Sequence, residues 1–541
     1  MTAPELLLLW LYFAVLTCLS VYGLHRCYLV YLYTNHRGSA PPDSGVDVAP
    51  RPAVATDARR SDDPEAFPFV TVQLPIFNEM YVVDRLVDAV AALDYPRERF
   101  EVQVLDDSAD NDETGRIARR AVERASARGV QIAYLRRDRR AGFKAGALAN
   151  GLRSARGELI AVLDADFVPH PDFLRRMLPP FDDPGVGMVQ ARWGHLNREY
   201  SLLTRVQAML LDAHFVLEHG ARHRGGLFFN FNGTAGVWRR AAIESAGGWL
   251  DDTLTEDLDL SYRAQLAGWR FVFLPDVVAP AELPVEMNGF KIQQHRWARG
   301  SIQTFFKLLP RLLRAEIPLR TKVEAWFHLT ANFNYPLLLL LSVVMVPALF
   351  LQARLGLDAL LRVEFLLFVA ALVSVVNFYV LSQRAVRADW VAQLRYLPLL
   401  IAVGVGLAVN NTLAVLGACA GGRHDFERTA KYAVIGRGDD WRSKRYRRSS
   451  VVQPLVELAF GLYYTAAVAY AVSMGFFAQL PVLCLFQVGF LYPAVLSLVQ
   501  QSAADAPRAQ MPAPHRSRLV SRPARSRPHV TTRRETPLVS S

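Results

Sequence analysis

The sequence predicts an α/β domain, built on a mostly parallel sheet with flanking helices, joined to an α-helical transmembrane bundle. Three observations predict this. Short apolar runs alternate with amphipathic stretches between residues 67 and 330. Long, nearly uncharged runs lie near the N-terminus and after residue 330, and they are long enough to cross a bilayer. Hydrophobic residues are 52% of the 541 positions and charged residues 21%, so the middle keeps enough polar residues for a soluble domain with its own core.

The first apolar run covers residues 6–24. A cleaved signal peptide is the competing reading. No basic residue precedes the run, while His25, Arg26, His36 and Arg37 follow it. That asymmetry predicts an uncleaved anchor over 1–37 with its N-terminus outside. Residues 38–66 are rich in Pro, Ala, Asp and Ser and read as a linker. Strands are expected at 70–74, 102–105, 132–135 and 159–163, with helices near 82–92, 113–126 and 145–154. In such sheets, ligands bind beyond the carboxyl ends of the strands. The α/β domain is placed at 67–290, followed by interfacial helices over 291–330.

Five apolar stretches follow, at about 331–351, 363–382, 394–419, 452–474 and 476–499. If all five crossed, residues 421–450 would face away from the α/β domain. That segment holds nine Lys or Arg against four acids, which favours the cytoplasmic side. One stretch is therefore expected not to cross. Residues 394–419 contain Arg395, Pro398, Gly404, Gly406, Asn410 and Asn411 and are read as an interfacial or re-entrant helix. Two crossings are expected within 331–382 and two within 451–499, with a cytosolic loop at 420–450 between them. The Pro-, Ser- and Arg-rich segment 500–541 is expected to be a disordered basic tail. This arrangement makes a multi-pass protein of the plasma or inner membrane, embedded in the lipid bilayer, with a cytosolic α/β domain.

The net charge is +11. No nucleic-acid recognition motif accompanies it, so basic cytoplasmic loops account for it and no nucleic-acid partner is expected. Cys18, Cys27, Cys419 and Cys484 lie in or beside apolar runs without CxxC spacing, which supports neither a zinc site nor a disulfide framework.

Two acidic pairs follow expected strands: Asp106-Asp107-Ser108, and Asp164-Ala165-Asp166 within LDADF. In the second, period-two geometry turns both carboxylates to one side. Two hard oxygen donors suit Mg²⁺ or Mn²⁺ bridging to a diphosphate. Acids after strands also serve as plain turn or cap residues. Lys144, at an expected helix start, suits phosphate, or is simply solvated. Thr255-Glu256-Asp257 opens a helix, either as a cap or as the source of a general base. Gln293-Gln294-His295-Arg296-Trp297 offers a guanidinium for diphosphate and an indole for a sugar's apolar face. The alternative is a basic aromatic helix at the membrane interface.

Taken together, these residues resemble the family 2 glycosyltransferases, specifically the processive cellulose synthase superfamily. The motifs run in order: LPIFNE at 74–79, DDS at 106–108, FKAGALANGL at 143–152, DAD at 164–166, FNGTAG at 231–236, TED at 255–257 and QQHRW at 293–297. Within the superfamily, LDDSADN, VQARWGHLN, FFNFNGTAGVWR and QQHRWARG resemble the cellulose synthase-like mannan and glucan-backbone synthases. The resemblance implies a GT-A type fold and an inverting, processive hexosyltransferase that builds a β-linked polysaccharide and passes it across the membrane. It implies that Asp106 and Asp107 meet the nucleotide, with Lys144 and Arg296 supporting the diphosphate. Asp164 and Asp166 would hold the metal, Asp257 would be the general base, and Gln293, Trp297 and Glu256 would line the acceptor end. Phe426, Thr429 and Lys431 match the family's gating loop, with Arg428 where that pattern has valine. Trp326, Phe333 and Tyr335 would stack on the glycan at the membrane entrance, or anchor the interface. GDP-mannose and UDP-glucose both remain open as donor, with a growing polysaccharide as acceptor. Two other readings stay open: a non-processive transferase that adds one sugar to a lipid, and a silent channel or scaffold with the same fold.

Overall fold

The computed structural model describes residues 1–35, 64–421, 427–442, 444 and 450–505. The segment expected as a linker therefore lies almost wholly outside the described residues. So does the tail from 506 onward. Residues 500–505, expected in that tail, instead continue the last helix. Gln500 is tied there, its Oε1 accepting from the Met287 backbone N–H at 2.8 Å.

After α1 (Ala3–Asn35) the chain builds the sheet domain. Its first half is β1 (Val70–Ile76), α2 (Val83–Ala91), β2 (Phe100–Asp106), α3 (Thr114–Ser126), β3 (Ile132–Arg136), α4 (Phe143–Ser154) and β4 (Leu159–Val162). Each matches an expected element to within a few residues. β1 is buried along its whole length, as a parallel strand covered on both faces must be. α2 buries Val83, Leu86, Val87 and Val90, an i, i+3, i+4, i+7 stripe facing the sheet.

The second half was not expected strand by strand. It contains a short α5 (Phe173–Met177), β5 (Val186–His195), α6 (Leu202–Ala213) and α7 (Gly220–Arg224). β6 (Gly236–Arg239), α8 (Arg240–Ser245), α9 (Glu256–Leu266) and β7 (Arg270–Ala281) follow. The sheet order is β3-β2-β1-β4-β6-β5-β7. β6 runs antiparallel to β4 and β5, and the other neighbours pair in parallel. Gly236 of β6 therefore pairs with Val162 of β4, bringing the loop before β6 to the carboxyl end of β4.

The long α10 (Met287–Arg314) leaves this edge for the membrane bundle. The bundle holds α11 (Leu319–Thr330), α12 (Asn334–Leu355), α13 (Asp358–Val386), a short α14 (Trp390–Gln393), α15 (Leu397–Gly406), α16 (Ala408–Cys419), α17 (Val452–Ser473) and α18 (Leu480–Asp505). Among the described residues, six helical segments are long and apolar enough to cross a membrane: Ala3–Asn35, Leu319–Leu355, Arg362–Val386, Trp390–Cys419, Val452–Ser473 and Phe477–Ser502. These are the helices of an integral membrane protein. Trp390–Cys419 differs from the rest. It breaks between α15 and α16, and 72% of its most apolar window is buried, against at most 50% elsewhere. The Asn410 amide is paired, its Nδ2 donating to the Lys291 carbonyl at 2.9 Å and to Asn411 Oδ1 at 2.8 Å, while Asn411 Nδ2 is buried with no hydrogen-bond partner among the described residues.

The domain and the bundle meet through α10. Lys291 Nζ lies 2.5 Å from Glu457 Oε2 on α17 and 3.0 Å from Ser497 Oγ on α18. Both partners in the ion pair are buried. Lys291→Met would leave the Glu457 carboxylate buried without its cation, which costs about 3–5 kcal/mol. The melting temperature of the detergent-solubilised protein should fall sharply. Adding Glu457→Leu should recover most of the loss, because the uncompensated charge goes with it.

Candidate active site

The carboxyl ends of β1, β2 and β4 meet the loop before β6 and the N-terminus of α9 around a cleft. α10 closes one side. Gln293, Arg296 and Trp297 all line the cleft, since i, i+3 and i+4 positions share a helix face.

Asp164 and Asp166 follow β4, and both line the cleft. Lys144 Nζ donates to Asp164 Oδ1 at 2.5 Å and to the Gly233 carbonyl at 2.8 Å. Burial opposes the charge of Lys144, but Asp164 and Glu256 outweigh it and hold the ammonium above the ordinary lysine range. Asp166 Oδ2 accepts from Lys431 Nζ at 2.7 Å and from the Glu282 backbone N–H at 3.2 Å. Asp166 Oδ1 is buried with no hydrogen-bond partner among the described residues, an oxygen suited to a hard cation.

Asp257 and Glu256 sit in the first turn of α9. Burial, then the Glu256 carboxylate, pushes Asp257 up to about 7. Burial raises Glu256 as well. Thr255 stands at the N-cap position, but its hydroxyl makes no capping bond and lies 3.4 Å from Thr304 Oγ1. α10 comes so close there that a β-carbon at Gly300 would lie 2.5–2.8 Å from Thr255.

The acidic pair after β2 divides. Asp107 lines the cleft and pairs with Arg137 through bonds of 2.9 and 2.5 Å. Asp106 is buried behind it and does not line the cleft. Its Oδ2 accepts from Tyr134 Oη at 2.5 Å and its Oδ1 from the Ser108 N–H at 2.8 Å. Asp106 thus shapes the strand end, while Asp107 faces the space.

The loop after α16 lies across the mouth. Besides the Lys431–Asp166 contact, Arg428 Nη1 is 3.6 Å from Glu79 Oε1. Thr429 is buried, and the Tyr432 N–H donates to Glu282 Oε1 at 2.8 Å. Arg296 Nη1 donates to the Glu427 carbonyl at 3.2 Å. Arg428, standing at the pattern's valine position, reaches an acid of the cleft. Phe426 lies outside the described residues.

Several cleft residues carried no expected role. Glu79 follows β1 as the other acids follow β2 and β4, so the same strand-end signal marks it. Burial pushes it up to about 7. Trp193 and His195 end β5, a strand that periodicity did not reveal. The Trp193 ring lies 6.4 Å from Trp297 and 5.4 Å from Phe167. Of the expected entrance aromatics, Trp326 is exposed, while Phe333 and Tyr335 are half-buried against the bundle.

With this geometry in view, the chain can be set beside known proteins. Residues 68–300 match the family model described as "Glycosyltransferase like family 2". The chain is 44% identical over 282 residues to glucomannan 4-beta-mannosyltransferase 1 of Oryza sativa subsp. japonica, covering 51% of this chain and 53% of that relative. It is 43% identical over 273 residues to glucomannan 4-beta-mannosyltransferase 2 of Arabidopsis thaliana, covering 50% of each. The chain thus spans about half the length of the curated relatives it matches. A solved mannosyltransferase from Pyrobaculum calidifontis, in complex with GDP-Man and Mn²⁺, aligns with a TM-score of 0.47 and 22% identity, over 67% of this chain and 98% of that one. Residues 68–300 are thus similar to the family 2 glycosyltransferases.

Gly233 adopts a φ of +78°, and a β-carbon there would lie 3.1 Å from Asp257 Oδ2 and 3.5 Å from Lys144 Nζ. Gly233→Ala would strain the backbone and displace one of these groups. It should lower kcat on the order of 100-fold, measured as nucleoside diphosphate release by the purified protein. An unimpaired variant would show that the site tolerates the shift.

Proposed function

We propose that the chain is a processive, inverting hexosyltransferase that polymerises a β-1,4-linked mannan or glucomannan from GDP-mannose and passes it across the membrane. The observation that carries this reading is Asp257. Its carboxyl is raised to about 7 and lies in one cleft with Asp164, Asp166 and Trp297. The relatives' identity as glucomannan 4-beta-mannosyltransferases favours mannose over glucose.

In this reading the terminal hydroxyl of the growing chain attacks the anomeric carbon of the donor. The new glycosidic C–O bond forms as the bond to the diphosphate oxygen breaks on the opposite face. Asp257 takes the hydroxyl proton. Lys144 and Arg296 face the leaving diphosphate with positive charge. Trp297 and Trp193 flank the acceptor sugar with apolar surfaces. Asp164 and Asp166 fit a divalent cation, Mg²⁺ or Mn²⁺. Among the described residues no three His, Cys, Asp or Glu side chains are placed to hold a metal ion by themselves, so diphosphate oxygens would complete its shell. The bound ion would neutralise charge on the leaving group. The loop carrying Thr429 and Lys431 covers the nucleotide. The glycosyltransferase domain faces the cytosol, and Trp390–Cys419 lies at the interface or re-enters.

Membranes given labelled GDP-mannose should yield an ethanol-insoluble polymer that mannanase degrades. Labelled UDP-glucose should yield little alone. A product wholly extractable into organic solvent would refute the processive reading in favour of transfer of one sugar to a lipid.

Asp257→Asn should abolish turnover while leaving nucleotide affinity within about twofold, as a group acting mainly in the transition state requires. A base must be unprotonated to accept the proton, and this carboxyl is raised. The wild-type rate should therefore fall as pH drops through about 7, rather than persist to about pH 4 as with an ordinary aspartate. Full turnover in the asparagine variant would remove Asp257 from the mechanism.

A further inference from the structure

The reaction above gives His195 of the cleft no task. His195 is the last residue of β5, two positions after Trp193, so both side chains share one face of the strand. Both line the cleft. Trp193 faces Trp297, which sets this part of the cleft beside the acceptor tryptophan.

The His195 imidazole is held from behind. Its Nε2 lies 3.2 Å from Asp212 Oδ1. Asp212 is buried, and its Oδ2 accepts from Arg198 Nη1 at 2.6 Å and from Gln383 Nε2 at 3.2 Å. Arg198 Nη2 donates to Gln383 Oε1 at 2.9 Å. Residues from the end of β5, from the segment between β5 and α6 and from the membrane helix α13 thus converge on one carboxylate of α6. Burial opposes its charge, but His195 and Arg198 overcome that and hold the carboxyl below the ordinary range. An anchored carboxylate on one ring nitrogen fixes the orientation of the other. Asp257 already receives the proton, so the fixed imidazole is not needed as a second base.

A flat aromatic beside a polar group of fixed direction suits a saccharide, which has apolar C–H faces and a rim of hydroxyls. We propose that His195, oriented by Asp212, hydrogen-bonds a hydroxyl of the acceptor saccharide one or more units behind the reacting end, with Trp193 as the adjoining stacking surface. His195 is a binding residue and Asp212 a positioning residue. The inference rests on the polysaccharide reading above.

The test uses the full chain in lipid nanodiscs, with β-1,4-mannohexaose and GDP titrated separately. His195→Ala should weaken hexasaccharide binding about tenfold, the size of one lost hydrogen bond, with GDP binding unchanged. His195→Gln, which keeps a donor and an acceptor, should recover part of the loss. Asp212→Asn should behave like His195→Ala if it folds. In turnover, the KM for the oligosaccharide should rise with kcat unchanged. Wild-type hexasaccharide affinity in His195→Ala, an equal loss of GDP binding, or no hexasaccharide binding by the wild type would each overturn the subsite. A wild type that binds the hexasaccharide but makes no polymer from any nucleotide sugar would instead overturn the polymerase reading and leave the subsite standing.

Discussion

Lys291 of α10 and Glu457 of α17 meet at 2.5 Å, both buried. Neither charge is tolerable alone at that depth, because an unpaired buried ion costs several kcal/mol. The pair therefore sets the position of α10 along the bundle. That position decides the site. Two residues further along, Gln293 enters the cleft, and Arg296 and Trp297 follow on the same face. The same helix is pinned at its start by Gln500. It is pinned again farther on, where Arg299 Nη2 donates to the Gly417 carbonyl at 3.1 Å. α10 is thus part of the cleft wall and part of the bundle at once. Movement between membrane and domain would shift Trp297 relative to Asp257, which lines the same cleft.

The second organising feature is the concentration of acids at the ends of the strands. Glu79, Asp164, Asp166, Glu256, Asp257 and Glu282 all line one cleft. Such a cluster is stable only with cations inside it. Lys144 is inserted from α4, and Lys431 and Arg428 arrive from the loop between α16 and α17. The loop is therefore held over the cleft by Glu79 and by Asp166, whose second oxygen suits a hard cation. Shared acids of this kind make loop position and ligand occupancy depend on each other, because a cation added to Asp166 competes with Lys431.

The geometry of the sheet explains why distant motifs meet. Because β6 is antiparallel, the loop before it ends at the same edge as β4. The Asp164 N–H accordingly donates to Thr234 Oγ1 at 2.8 Å. Gly233 then lies against both Lys144 and Asp257. A fully parallel arrangement would have carried FNGTAG to the opposite edge.

Much of this was legible in the sequence. The four strands of the first half, their helices and the strand-end acids Asp107, Asp164 and Asp166 follow from apolar periodicity and from where acids interrupt it. The apolar runs that cross the membrane follow from length alone. Local pattern did not reveal β5, β6 or β7. β7, for example, alternates buried and half-buried positions irregularly and contains two prolines. Nor did it separate Asp106, bonded behind the sheet, from Asp107, which faces the cleft. Adjacent residues on a strand point to opposite sides, but only the packed helices decide which side is the ligand's. The partners Lys431 and Asp166 are 265 positions apart, and Lys291 and Glu457 are 166 apart. Charge and periodicity identify each residue as a candidate. Only the tertiary structure decides the pairing, because contact between residues so far apart depends on how the whole chain packs.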